Sequence, residues 1–427
     1  MTRRVVVTGM GIVAPDALNI QEFRAILKEG RSVISHVEDL EEYGFRCTVG
    51  GVADLSRYEP EDWYEYFDMP MASNFIKLAA VAGVQAWLQS GLPLPPYDSD
   101  SIDWDSGMII GSGVAGVEVI VNKVGPLTRQ KKVKKIGSYA IQNTMLSGAA
   151  AHLSAILAIG NQVYSNSSAC STGTESIIEG FYKIKYGQAS RMVVGSSEGY
   201  SPFTWAPFDA ARVLNIQHND QPREASRPMS ASAGGFVPGS GAGVLILEEL
   251  EAAKERGAPI LAEILAGSAN SGGQRGGGSM TFPNNEGVVR CIRQTIEQAG
   301  IPPEEIDLIN GHLTGTKGDY VEVKNWVEAL QVSRNDFPMI QAPKSIFGHA
   351  LAAAGSLESI AVILQLTDGF IHPSLNCKDL QPQIADLIDE DKIPRQNREA
   401  TDLRTIIKAS FGFGDVNTCL IFRKWEE

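Results

Sequence analysis

Short apolar runs that end in glycine, alternating with amphipathic stretches, constrain this chain more than any other feature. Val5-Val6-Val7-Thr8, Met108-Ile109-Ile110, Met192-Val193-Val194, Gly243 to Leu247, Ile306 to Ile309, Thr405-Ile406-Ile407 and Cys419 to Phe422 read as buried strands. Between them, Ile76 to Leu88, Glu175 to Tyr186, Glu286 to Ala299 and Leu357 to Leu366 carry apolar residues at helical spacing. Strands alternating with helices predict an α/β protein with mainly parallel sheets. At 427 residues, 43% apolar and 20% charged, the chain can bury a large core without disulfide or metal staples.

Charge and cysteine usage narrow the function classes. A net charge of −13 argues against nucleic acid as a partner. No run of roughly 18 apolar residues is present, so no membrane span is expected. Met1-Thr2-Arg3-Arg4 followed by Val5 to Val13 imitates a signal peptide, but Gly9 and Gly11 interrupt it, and a buried first strand is the better expectation. The five cysteines are scattered and never form a C-x-x-C pair, which fits a reducing cytoplasm and excludes a disulfide framework or a thiolate zinc site.

A long internal repeat is also discernible. Around 105–250 the order is strand, glycine-rich turn, strand, turn with Cys170, helix, strand, turn, strand. Around 260–427 a related order recurs, with a strand at Leu261 to Leu265, turns holding His312 and His349, and a terminal hairpin through Phe411 to Phe422. The expected division is 1–255, with the cysteine, and 256–427, with the two histidines. Two unrelated α/β lobes are the alternative.

Three turns carry candidate chemistry. Ser167 to Gly173 sets Cys170 between a strand and a helix, where free N–H groups and the helix dipole favour a thiolate. Asn310-Gly311-His312-Leu313-Thr314-Gly315-Thr316 puts a histidine at a strand end, followed by hydroxyls. Lys344 to Gly355 puts His349 before small residues that open a helix. Each motif alone reads as an ordinary core residue, as do the other cysteines, His36, His152, His218 and His372. The three together point to nucleophilic catalysis.

These turns and several others resemble the β-ketoacyl-acyl carrier protein synthases of the elongating type I/II group, in the thiolase superfamily. The likeness extends through Val5 to Gly11, Gly111-Ser112-Gly113, Ala225-Ser226-Arg227-Pro228, Gly235-Phe236-Val237, Gly239 to Leu245 and Ser410-Phe411-Gly412-Phe413-Gly414. The resemblance implies a five-layered α-β-α-β-α sandwich of two similar halves. It implies a catalytic Cys170, His312 and His349, supported by Lys344, Glu322 and Glu358. It also implies an oxyanion site at the N–H groups of Cys170 and Phe413, with Phe413 as a gate. Thr314 and Thr316 match the hydroxyls that hold the phosphopantetheine arm, and Phe411 and Val114 fall on the substrate pocket, the acyl tail running along 113–116. The implied reaction is decarboxylative condensation of a Cys-bound acyl group with a malonyl thioester, in fatty acid or polyketide elongation. No cofactor is expected on the enzyme, because the substrates carry phosphopantetheine on an acyl carrier protein.

Four positions depart from the family pattern: Leu313, Ala352, Asp415 and the short loop from Thr316 to Asp319. Three alternatives remain: a thiolase-like enzyme acting on coenzyme A thioesters, a non-catalytic partner subunit, and a zinc site on Cys170, His312 and His349. The intact triad argues against the second and the lack of a carboxylate motif against the third. The resemblance further implies a dimer paired through strands near 162–167, with the apolar run Leu153 to Ile159 packing there. It is either a homodimer or a heterodimer with a chain-length-factor-like paralogue. The run Arg129-Gln130-Lys131-Lys132-Val133-Lys134-Lys135, five cations in seven residues, lies where the family docks its acidic carrier protein.

Overall fold

The computed structural model describes residues 2–426. Ten strands form the central sheet: β1 Val5–Val13, β2 Ser106–Gly111, β3 Val163–Tyr164, β4 Arg191–Glu198, β5 Gly241–Glu249, β6 Ala262–Ser271, β7 Leu308–Asn310, β8 Met339–Gln341, β9 Thr405–Gly412 and β10 Val416–Lys424. Their order is β8-β7-β9-β10-β6-β1-β5-β4-β2-β3. Read inward from either end, the pattern is the same. Three strands run parallel, then two pair antiparallel, and the two sets meet through three residues of β1 against β6. The expectation of mainly parallel sheets is corrected to a mixed sheet. Each half ends in strands joined by hairpin-like or long returns to its centre, where antiparallel pairing needs no helical crossover.

Six helices matter for the site: α1 Asn74–Gln89, α2 Gly148–Leu157, α3 Thr172–Lys185, α4 Asn285–Ala299, α5 Asp319–Leu330 and α6 Ala354–Asp368. Alternation along the strands assigns the layers. Leu245, Leu247, Leu420 and Phe422 point to a shared core with Ile177, Phe181, Leu357 and Ile360 of α3 and α6. Val244 and Ile246 face α1 and α2 on one outer side, and Cys419 and Ile421 face α4 and α5 on the other. Both faces of each strand are therefore buried, which is why these strands read as unbroken apolar runs.

The segment that imitated a signal peptide is the central strand β1, buried throughout. Gly11 is required there, because a Cβ would lie 2.0 Å from the carbonyl oxygen of Ala82 on α1. Leu153, Ile156 and Leu157 are buried against α1 within this chain, so the run assigned to a dimer interface is corrected to an ordinary core helix. Leu351–Asp368 is long and apolar enough to cross a membrane by length and composition alone, and it is 89% buried as the middle-layer helix.

Candidate active site

Cys170 stands in a tight turn, Ala169–Ser171, that runs directly into α3. Ala169 takes a left-handed φ of 51°, a conformation that persists only where neighbours enforce it. Here Thr172 Oγ1 donates to Ala169 O (2.7 Å) and accepts from Ser168 N–H (2.9 Å), while Ser171 Oγ donates to Ser410 O (3.2 Å) on β9. The N-terminal ends of α3 and α6 cross backbone to backbone. A Cβ on Gly355 would lie 2.4 Å from Thr174 N, so glycine alone lets the helix after His349 reach the helix after Cys170.

His312 follows β7 by two residues. The N–H groups of His312 and Leu313 both donate to the Glu322 carboxylate at 2.7 Å. One turn earlier on α5, Asp319 accepts from Thr314 N–H (3.0 Å) and Gly315 N–H (3.1 Å). Two buried carboxylates thus staple the loop that presents the histidine. Burial pushes Glu322 up to about 7 and Asp319 up to about 6, against these N–H bonds. Thr314 Oγ1 and Thr316 Oγ1 lie 3.2 Å apart.

His349 is fixed through its backbone, donating to Val237 O at 2.7 Å. Its ring lies edge-on to Phe236 (centroids 5.2 Å) and to His312 (5.3 Å). His349 Nδ1 accepts the N–H of Leu351 at 3.2 Å, and His312 Nδ1 faces the Lys344 ammonium at 3.5 Å. Both Nδ1 atoms therefore face donors, which leaves the ring proton on Nε2 in each. Burial, reinforced by the Lys344 charge, drives both imidazoles well below the usual histidine range, so both are neutral at pH 7.

Cys170 Sγ and one ring nitrogen of each histidine lie within 4.8 Å of one another. Burial pushes the Cys170 thiol up to about 11, opposed by the Lys344 charge and by an N–H bond from Phe413. Desolvation is the largest of these influences, so the thiol rests protonated where the turn before a helix had led to the expectation of a thiolate. Lys344 pairs with Glu358, whose second oxygen lies 2.9 Å from Lys408 Nζ, all three side chains being almost wholly buried.

The cysteine sits where two cavities meet. The larger, about 400 Å³, is lined by His312, His349, Thr314, Thr316, Phe411 and the 281–283 segment; the smaller, about 190 Å³, by Gly113, Val114, Glu198, Thr204 and Ala352. Cys170, Phe208 and Phe413 line both. Two of the unusual residues acquire a structural account. Leu313 is buried in the outer core of the second half. Asp415, at a left-handed φ of 63°, accepts N–H bonds from Gln274 (2.9 Å) and Asn284 (2.8 Å), holding both ends of the loop whose residues Thr281, Phe282 and Pro283 line the larger cavity. Cys419 is buried in the outer core and lines neither cavity, so Cys170 is the one cysteine among the described residues that lines either of them.

Matches to family models decide the classification: the β-ketoacyl synthase N-terminal domain over residues 2–253 and its C-terminal domain over residues 261–378. The chain belongs to the β-ketoacyl synthase family. Its members are condensing enzymes that transfer acyl groups. The 3-oxoacyl-[acyl-carrier-protein] synthase 1 of Escherichia coli strain K12 is 34% identical over 427 residues, covering 100% of both chains. Among solved structures, a type II PKS acyl-carrier protein in complex with its ketosynthase (AntDE:AntF) superimposes at a TM-score of 0.87, with 27% identity and full coverage of both chains. The ishigamide ketosynthase/chain length factor does so at 0.86, with 25% identity, again over 100% of both chains.

Outside the pocket, Arg129, Lys131, Lys132, Lys134 and Lys135 of this synthase are all exposed, and none makes a salt bridge among the described residues. Lys77, on α1, is partly buried, and burial lowers its pKa. Strand β3 is an edge strand, paired with β2 alone. Sequence reasoning missed Asp319, Glu198 and Lys408. The signal for the last two was present: a charged residue at the end of, or inside, an apolar strand run needs a buried partner.

Proposed function

We propose that this protein is a 3-oxoacyl-[acyl-carrier-protein] synthase, catalysing decarboxylative Claisen condensation in fatty acid or type II polyketide chain elongation. The observation that carries this is the meeting of one thiol and two neutral, Nε2-protonated imidazoles at the junction of two cavities. In the first half-reaction the Cys170 sulfur attacks the acyl thioester, the acyl group moves to sulfur, and the thiol proton leaves with the carrier's pantetheine thiol. The acyl chain then occupies the smaller cavity past Val114, and the pantetheine arm the larger one beside Thr314 and Thr316.

A malonyl thioester next enters the larger cavity and releases carbon dioxide. The electrons of the broken C–C bond become an enolate, whose oxygen takes Nε2–H bonds from His312 and His349. The enolate carbon attacks the acyl carbonyl, the oxyanion faces the N–H groups of Phe413 and Cys170, and collapse expels the Cys170 thiolate. Neutral imidazoles suit this step, since they donate without surrendering a proton to the enolate. Lys344, held by Glu358, keeps Nδ1 of His312 an acceptor, and Glu322 holds its backbone. Phe413 stands between the cavities as the gate.

We divide the chain into halves at 255/256, supported by the strand pattern, which places five sheet strands on each side. The partner is an acidic acyl carrier protein, docking on the exposed cations at 129–135 in a cytoplasmic setting. A dimer through edge strand β3 fits the same reading, and sedimentation showing an active monomer refutes it. A homodimer is the main reading, and pairing with a chain-length-factor-like paralogue is the specialised alternative, supported by the likeness to the ishigamide ketosynthase/chain length factor. The test of function is intact-protein mass spectrometry after incubation with a panel of acyl carrier proteins. Acylation confined to Cys170 and lost in Cys170→Ala is expected; acylation retained in the mutant at another residue refutes the mechanism.

A further inference from the structure

Lys408 is a buried group that the condensing steps leave unused. It interrupts the apolar run of β9 and is fully out of solvent. Its ammonium lies 2.9 Å from Glu358, 2.9 Å from Thr174 Oγ1 and 3.1 Å from Ala409 O, and it also donates to Ser410 Oγ. Glu358 holds Lys344 on its other oxygen. Two ammonium groups share one carboxylate in a site shielded from water, so one positive charge has no counter-ion there.

Folding alone does not account for that charge. Thr174 Oγ1 and Ser410 Oγ are 2.9 Å apart and bond each other, and Glu358 already has Lys344. A neutral side chain at 408 would leave both hydroxyls partnered, and Glu358 would keep Lys344, so no buried charge would be left without its counter-ion. The contacts of Lys408 instead converge on the chemistry. Thr174 lies in the first turn of the helix after Cys170, Glu358 on the helix after His349, and β9 leads into Phe411 and Phe413.

We propose that Lys408 is a positioning residue for the condensing step: by taking the second oxygen of Glu358 it directs the Lys344 ammonium onto Nδ1 of His312, and by bonding Thr174 and Ser410 it locks the Cys170 helix to the strand that carries the Phe413 loop. This rests on the condensing reading above. The titratable groups facing the two imidazoles are Cys170, Lys344, Lys408 and each other, with Glu358 between the lysines and Glu322 behind the His312 backbone; those facing Lys408 are Glu358, Lys344 and Cys419. The Lys408 charge opposes protonation of both imidazoles. Removing it makes them easier to protonate, so the acid limb of the enolate-forming step moves to higher pH.

The full-length variants Lys408→Met and Lys408→Gln are compared with the parent in two assays: carbon dioxide release from malonyl carrier protein across about pH 5 to 9, and acylation of Cys170. Decarboxylation is expected to fall by about tenfold, with its acid limb raised by about one pH unit, while acylation stays within about threefold. Methylammonium is expected to restore decarboxylation in Lys408→Ala, and Lys408→Arg to keep the parent's acid limb. A folded neutral variant with the parent's rate and limb overturns the proposal. So do equal losses in both assays with an unmoved limb and no rescue, and so does failure of every neutral variant to fold. A parent that acylates Cys170 yet releases no carbon dioxide from malonyl carrier protein refutes the condensing reading itself.

Discussion

Replacing His349 by alanine removes one of the two Nε2–H donors assigned to the enolate, and the structure sets the size of the effect. The ring makes no ion pair; it touches Phe236 and His312 by its edges and accepts one backbone N–H, that of Leu351. Loss of one preorganised oxyanion donor costs about 3 kcal/mol, or roughly 150-fold in the decarboxylation rate. Leaving the Leu351 N–H without its acceptor costs about 1–2 kcal/mol of stability. The same change at His312 removes the other donor, but its Nδ1 partner Lys344 keeps Glu358, so no neighbour is orphaned. The two variants are therefore expected to lose decarboxylation alike, with His349→Ala the less stable. Acylation of Cys170 precedes enolate formation and is expected to stay within about tenfold in both. Carbon dioxide release from malonyl carrier protein, acyl-enzyme mass and thermal melting measure the three quantities. Parent-rate decarboxylation by both variants would refute the assignment, and so would loss of acylation as large as that of decarboxylation.

Val114→Phe fills part of the smaller cavity, and each methylene it displaces forfeits about 0.8 kcal/mol of burial; displacing two should shift kcat/KM toward shorter acyl carriers by roughly tenfold. An unchanged chain-length profile would move the acyl tail elsewhere. Lys131→Glu with Lys132→Glu is expected to weaken use of carrier-bound substrates, and the parent to show a strong salt dependence, while small thioester mimics react as before. Equal losses on both substrate types would mean a damaged fold. His372 is buried and its pKa falls from the ordinary 6.5 to about 4. A depressed folded value means that stability is complete above the unfolded pKa and drains away as pH falls through this window, by about 3 kcal/mol in all. Melting curves of His372→Gln should show a flatter acid slope than the parent; an identical slope would contradict this.

Much of the architecture was readable because it follows from local rules. The apolar runs became strands buried on both faces, and the stretches of helical period became α1, α3, α4 and α6 within a few residues of their expected bounds. The three chemistry-bearing turns could be picked out because each joins a strand end to small or hydroxyl residues. Strand direction could not: a run such as Gly243 to Leu247 looks the same whether its neighbours are parallel or antiparallel, and only the sheet order decides. The run Leu153 to Ile159 shows the same limit, since an apolar helix face does not say whether the surface it covers belongs to its own chain.

The sequence by itself determined which side chains are available for the chemistry and the order in which they come, because nucleophile, imidazoles and hydroxyls are covalent facts of the chain. Their protonation was decided by the tertiary structure. Burial raised the Cys170 thiol, donors on Nδ1 chose the tautomers of His312 and His349, and a second cation, Lys408, joined Lys344 on Glu358. Apart from the Leu351 N–H on His349, only two residues away, these depend on distances between residues 14 to more than 200 positions apart in the chain, and electrostatic and desolvation energies are functions of those distances, not of sequence separation.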